Sequence, residues 1–268
     1  MNTYEKQMLA ILEKGRKDLG FVAVKAEFEA EGTRSDEFLR LLELARRAGL
    51  KVALKIGGCE AIRDLIEARQ YGVDMIIAPM VETPYALSKF IAAKNKVFPA
   101  KEQEDMSFLF NVETAATFEH LEELGGVAQA GKVGFVFGRV DFAGSLGQDR
   151  GFVNSPDMAA YVNRVAQEAR IRGIELVVGG GVSPDSIPLL SGARRHRLDR
   201  FETRKVVFDS IVADDGRAQA GMELAIEFEL LWLKNKRDFY RGIAEEDAAR
   251  IEMMEARQKV SARTAEAA

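Results

Sequence analysis

Short apolar runs rich in β-branched and aromatic residues alternate along this chain with longer segments of helical period. That alternation restricts the fold to parallel strands joined by crossover helices. The runs begin near Phe21, Lys51, Val73, Phe108, Val133, Ile174 and Phe201. Gly49, Gly72 and Gly173 stand just before the next run, where a helix can end in a left-handed cap. Thr83-Pro84, Ser155-Pro156-Asp157 and Ser183-Pro184-Asp185 read as helix starts: the hydroxyl caps the first turn, and proline fits the first helical position. The repeated unit predicts an α/β chain folded as a (β/α)8 TIM barrel, with an N-terminal helix from Tyr4 to Leu19 and an eighth strand that the pattern does not reveal. Barrels of about 250 residues are commonly one domain, so residues 1–268 are expected to form a single one. Within it, residues 221–268 read as a C-terminal helical extension of one or two long helices. Their apolar face (Leu224, Phe228, Leu231, Trp232) is expected to pack on the barrel or on a partner subunit.

Thirty-eight Lys and Arg against 42 Asp and Glu leave a net charge of −4, with both signs interspersed, so the basic face of a nucleic-acid binder is missing. Arg194-Arg195-His196-Arg197 reads as a solvated helix end. Cys59 is the sole cysteine, which excludes an intrachain disulfide and a thiolate zinc cage and fits a reducing compartment. No apolar segment approaches the ~20 residues needed to span a bilayer, and the first residues lack a signal-peptide core. The expectation is a soluble, cytoplasmic protein that binds neither membrane nor nucleic acid.

Successive strand residues face opposite sides. In the first run Val22, Val24, Ala26 and Phe28 form the helix-facing set, which turns Lys25 and Glu27 into the barrel. In the second, Val52, Leu54 and Ile56 face outward and Lys55 inward; in the fourth, Asn111 and Glu113 share the inward side. Asp141 follows the run Phe135-Val136-Phe137-Gly138 at the head of a Gly/Ser-rich loop, with Arg139 on the same parity. Unpaired buried charges cost several kcal/mol each, so this set calls for mutual pairing, water or a metal. Oxygen ligands without Cys or a His pair select Mg²⁺ or Mn²⁺, ions that take one or two protein carboxylates. Glu113 and Asp141 suffice. His120 lies in a helical segment and His196 in the basic cluster, which leaves Glu27, a lysine of lowered pKa or metal-bound hydroxide as the general base. Gly179-Gly180-Gly181 precedes a helix start, where Gly180 and Gly181 would let a substrate carboxylate or phosphate approach the backbone. A tight turn without a ligand is the alternative.

Three motifs resemble a known family: Ala78-Pro79-Met80-Val81-Glu82-Thr83-Pro84, Asn111-Val112-Glu113-Thr114, and Gly138-Arg139-Val140-Asp141-Phe142 with its following Ala143-Gly144-Ser145-Leu146-Gly147. Their order and spacing are similar to the HpcH/HpaI aldolase and citrate lyase β-subunit family, over roughly residues 21–208. The resemblance implies a (β/α)8 barrel, a homo-oligomer, and making or breaking of a C–C bond next to a 2-oxo acid or acyl thioester. It places Glu113 and Asp141 on the family's metal ligands, and Asn111 where many members carry a Gln near the substrate. The chain departs from the pattern where pyruvate aldolases of the family carry a Glu-His pair, here Glu27-Phe28-Glu29, and where they carry a substrate-contacting Arg, here Lys55. Lysine keeps the charge and loses the bidentate fork.

Together these observations predict a divalent-metal-dependent carbon–carbon lyase or aldolase acting on a small carboxylate substrate, a 2-oxo acid or a relative, through a metal-stabilised enolate. Glu113 and Asp141 would hold Mg²⁺ or Mn²⁺, and Lys55 and Arg139 would neutralise the substrate carboxylate. Asn111, Gly180 and Gly181 would contact the substrate, and Glu27 or Lys25 would move the proton. The alternatives are a Schiff base on Lys25 or Lys55, a citrate-lyase-like thioester lyase, and a barrel that binds a metabolite without turning it over.

Overall fold

In a computed structural model of the chain, eight strands close into a barrel in the order β1 to β8. Residues 1–266 are described, with side chains through Lys259. Helix α1 (Thr3–Asp18) leads into β1 (Phe21–Glu27), followed by α2 (Ser35–Ala48), β2 (Lys51–Lys55), α3 (Ile62–Tyr71), β3 (Met75–Ala78), α4 (Pro84–Val97), α5 (Ala100–Gln103) and β4 (Ser107–Val112). Then come α6 (Ala115–Glu119), α7 (Leu121–Gly131), β5 (Gly134–Gly138), α8 (Arg139–Ser145), α9 (Pro156–Arg172), β6 (Leu176–Gly179), α10 (Ile187–Arg194), β7 (Arg200–Glu202), β8 (Val206–Asp209) and α11 (Ala218–Glu266). The punctuation acts as the sequence predicts. Gly49, Gly72 and Gly173 take left-handed conformations at the ends of α2, α3 and α9, and the hydroxyls of Thr83 and Ser155 accept the N–H of Ala86 and Met158 at 3.1 Å.

Strands β1 to β7 are parallel, but β8 runs antiparallel to both β7 and β1. The expected all-parallel (β/α)8 barrel is corrected to a mixed closed barrel of eight strands. Its cause is local: the Thr203 N–H donates to Val206 O at 2.9 Å, which turns the chain back over Arg204 and Lys205. A parallel return needs a dozen or more residues, so no crossover helix fits between β7 and β8. The run near Phe201 contains both strands, with Phe201 and Phe208 stacked at 4.8 Å.

Two apolar layers flank the strand wall. Outward residues such as Val24, Leu54, Phe110, Phe137 and Phe201 pack beneath the helices. Inside, Ala23, Ala53, Met75, Ile77, Leu109, Val136, Val177 and Val207 plug the lumen. Val22, expected on the helix side, packs instead on this inner plug. The β1–β8 pairing shifts register between Phe21 and Ala23, and a bulge there breaks strict alternation.

Through Glu266 the C-terminal extension is a single helix, and its last two residues lie outside the described ones. Met222, Ala225, Phe228 and Trp232 of α11 are buried, and Leu224 and Leu231 pack partly against the same core. Beyond Tyr240 the helix leaves the barrel, and Ile243, Ile251, Met253 and Met254 are exposed. Among the described residues, no helix is long and apolar enough to cross a membrane.

Candidate functional site

Directly above the apolar plug, the next inward position of several strands is polar: Lys25, Lys55, Asn111 and Glu202 are all buried. Alternation dictates this, because each follows an inner plug residue by two positions or opposes one across the β7–β8 hairpin. On β5 and β6 the corresponding residues are Gly138 and Gly179. A Cβ at Gly138 would lie 3.1 Å from Glu113 Oε2, and one at Gly179 would lie 3.1 Å from Glu202 Oε1. The two glycines thus leave the space that two carboxylates fill.

Glu113 is the best-held of these acids. Its Oε1 accepts the Met80 N–H at 2.9 Å, and its Oε2 accepts Asn111 Nδ2 at 2.7 Å. Met80 supplies that N–H from a left-handed conformation (φ 51°), rare for a residue with a side chain and common at functional sites. Burial raises the Glu113 carboxyl above its ordinary pKa; Lys55 opposes the rise and Asp141 adds to it. The Oδ1 of Asn111 is buried without a hydrogen-bond partner beside this carboxylate.

Lys25 lies between two acids, with Nζ 2.6 Å from Glu202 Oε1 and 3.2 Å from Glu27 Oε1. Burial would lower its pKa, but the two carboxylates outweigh burial and hold the ammonium raised. Burial would likewise raise Glu27, and Lys25 and Lys55 overcome that to keep it ionised below the ordinary carboxylate range. Lys55 Nζ sits 3.0 Å from Glu29 Oε2. Desolvation is again outweighed, here by Glu113 and Glu29, and the Lys55 ammonium is raised too.

The structure brings Lys25, Glu27, Lys55, Asn111 and Glu113 together and sends Arg139 elsewhere. Strand β5 ends at Gly138, and α8 begins at Arg139. Arg139 therefore continues the outward side of Phe135 and Phe137 and is fully buried away from the lumen. Its guanidinium donates to the carbonyls of Gly179 and Val153 at 3.1 Å, to Asn154 Oδ1 at 2.9 Å and to Ser186 Oγ at 3.2 Å. It has no carboxylate partner among these, and burial pulls its pKa down to about 10. Asp141, expected in a loop, lies exposed in the first turn of α8, near enough for its charge to act on Glu113.

Gly180 and Gly181 also have a backbone explanation. Both take positive φ (77° and 65°), and a Cβ at Gly180 would meet the backbone nitrogens of Arg139 and Val140 at 2.6 and 2.7 Å. A tight turn against α8 requires both glycines without a ligand.

Glu202, Glu29 and the Met80 N–H were not picked out from the sequence. Alternation through Phe201-Glu202 would have found the first, had the hairpin been visible. Nothing in the sequence marks a left-handed methionine.

Among the described residues, no group of three or more His, Cys, Asp or Glu is arranged as a metal site. What the mouth offers is an oxygen-only set: Glu113, the adjacent Asp141 and the free Asn111 Oδ1. That chemistry suits a hard divalent cation, which needs few protein ligands. A cavity of about 650 Å³ lies away from the mouth, between the starts of α1 and α2 and the middle of α11, beside Tyr4, Glu37 and Trp232.

The profile of the HpcH/HpaI aldolase/citrate lyase family matches residues 35–183 of the chain. No curated protein matches it in sequence. Among solved structures, an HpcH/HpaI aldolase from Desulfitobacterium hafniense aligns at 14% identity and a TM-score of 0.59, over 75% of this chain and 83% of its own. An HpcH/HpaI aldolase/citrate lyase family protein from Burkholderia cenocepacia aligns at 15% and 0.59, over 83% and 89%. A variant of the citrate synthase SbnG aligns at 13% and 0.55, over 85% and 90%. At such identities the likeness is one of fold.

Proposed function

The chain belongs to the HpcH/HpaI aldolase/citrate lyase family, and from that premise we propose that it is a divalent-metal-dependent carbon–carbon lyase or aldolase acting on a small 2-oxo acid. Family membership supports lyase or aldolase chemistry in general. The observation that carries the narrower reading is Glu113, fixed by the Met80 N–H and Asn111 beside Asp141. Glu113 and Asp141 would hold Mg²⁺ or Mn²⁺, with Asn111 Oδ1 facing the same space. Bound there, the ion would chelate the carboxylate and keto oxygens of the substrate and acidify the adjacent C–H bond.

The protein's own groups divide the remaining work. Glu27, kept ionised, takes the proton from the carbon next to the keto group. Lys25 orients Glu27 and stays charged, so it is not the base. Lys55 adds positive charge where the substrate carboxylate enters. An imine on either lysine would need a neutral amine, and the carboxylates around both hold the proton on.

Deuterium exchange into the methyl group of pyruvate, followed by NMR, tests this without a second substrate. Exchange is expected with Mg²⁺ or Mn²⁺ and is expected to vanish with EDTA or in Asp141→Ala. Exchange that survives EDTA would refute the metal route.

A further inference from the structure

We propose that the electrophilic second substrate of this site is an uncharged carbonyl compound and that Glu29 enforces this choice; the inference rests on the metal-dependent aldolase reading above. The observation behind it is that the cations around the mouth are already engaged. Lys25 is held by Glu202 and Glu27, and Lys55 by Glu29 at 3.0 Å. At the β7–β8 turn, Lys205 pairs with Glu31, and Arg204 lies 3.8 Å from both Glu31 and Glu229. Arg139 is buried behind the strand wall on carbonyl, amide and hydroxyl oxygens.

Lys55 decides the charge that an incoming electrophile meets. If it keeps Glu29, no cation in this set is free for a second anion. If it turns to the carboxylate of the 2-oxo acid, Glu29 is released as a bare negative charge at the same place. Both arrangements disfavour an anionic electrophile, because like charges brought together at a site select against the wrong partner. The acids sharpen the bias: Glu27, Glu29 and Glu202 pair with Lys25 and Lys55, Glu113 and Asp141 add two more carboxylates, and Arg204, whose charge also acts on Glu27, is shared with Glu31 and Glu229, so a divalent cation would offset only part of that excess.

The reaction itself needs no charge on the electrophile. The methyl carbon of pyruvate gives its proton to Glu27 and bonds to the aldehyde carbon. The C=O π pair then moves onto the aldehyde oxygen, which takes up that proton. The addition is balanced without an oxidant or reductant.

The test compares two electrophiles of one skeleton, 4-oxobutanoate and its methyl ester, with pyruvate and Mn²⁺, in wild type and Glu29→Gln. Pyruvate deuterium exchange is measured on the same samples. In the wild type, kcat/KM for the ester is expected to exceed that for the anion by at least about tenfold. In Glu29→Gln that ratio is expected to shrink severalfold. The ratio is taken within each protein, so partial unfolding of the variant leaves it unaffected. Exchange with equal or greater activity on the anion would overturn the inference and leave the aldolase reading intact. Ester preference unmoved in Glu29→Gln would overturn the role of Glu29. Absence of pyruvate exchange would overturn the reading and the inference together.

Discussion

Lys25 holds its charge inside the barrel only because two carboxylates are within 3.2 Å of it. Removing one leaves a buried ammonium under-compensated, so Glu202→Ala is expected to destabilise the fold by about 3–5 kcal/mol in urea unfolding. Glu202→Gln should cost less, since its amide oxygen still accepts the Lys25 hydrogen bond. Arg139 is the opposite case, a buried cation satisfied by neutral oxygens. Arg139→Met would strand the carbonyls of Gly179 and Val153 and is expected to cost roughly 2–4 kcal/mol by the same measurement; an unchanged midpoint would mean that water replaces the guanidinium. These two residues also mark where sequence reading works and where it stops. Alternation turns Lys25, Lys55, Asn111 and Glu113 inward, where they are found, because the β1 irregularity lies before Ala23 and the pairing of β1, β2 and β4 is regular from there to the strand ends. It misplaces Arg139 only when anchored on Asp141, which lies beyond the strand in α8; anchored on Phe135 and Phe137, which face outward while Val136 faces in, the same alternation carries Arg139 to the outward side, where it is found.

At the level of elements, the β7–β8 hairpin escaped detection for a physical reason. Tight two-residue hairpins usually announce themselves with Asn-Gly or Asp-Gly, which accept positive φ. Here the turn is made by Arg204-Lys205, neither with positive φ, so two strands of three and four residues read as one run. The reversal sends the chain back to the far end of the barrel, from which α11 climbs along α1 and past α2. Its hold on the barrel is concentrated early, in Phe228 and Trp232, and ends where Lys236 and Tyr240 bond to Glu37 at 3.0 and 2.6 Å. Phe228→Ala is therefore expected to cost about 3–5 kcal/mol. A chain stopped after Arg241 should keep its unfolding midpoint to within about 0.5 kcal/mol, because the removed side chains through Lys259 are nearly all exposed. A large loss on truncation would show that the outer helix supports the barrel.

For the molecule as a whole, two carboxyl groups of the site pull stability in opposite directions with pH, and the metal proposal makes them separable. Glu27 has a lowered pKa, chiefly because Lys25 and Lys55 overcome its burial. Its contribution is full above the ordinary carboxylate range and is lost as pH falls through the lowered value. Glu113 is raised, with burial the main cause. Its contribution is full below the ordinary carboxylate range and is lost as pH rises through the raised value, because the native state then gives up a proton that it held more tightly than the unfolded chain. A divalent cation competes with that same proton. Over the window in which the metal-free protein loses the Glu113 contribution, the stabilisation by Mn²⁺ should therefore grow, since binding to the native state adds RT ln(1 + [L]/Kd), about 2.7 kcal/mol at one hundred times Kd. Thermal melts across about pH 4.5–7 with EDTA or Mn²⁺ measure both curves. The Mn²⁺ increment in Tm is expected to rise with pH in the wild type and to be small and flat in Glu113→Gln. The variant should also lose the fall in metal-free stability with rising pH that the raised Glu113 carboxyl produces. An increment independent of pH, or one retained in Glu113→Gln, would place the cation away from Glu113 and leave its buried carboxyl a structural group held by Met80 and Asn111.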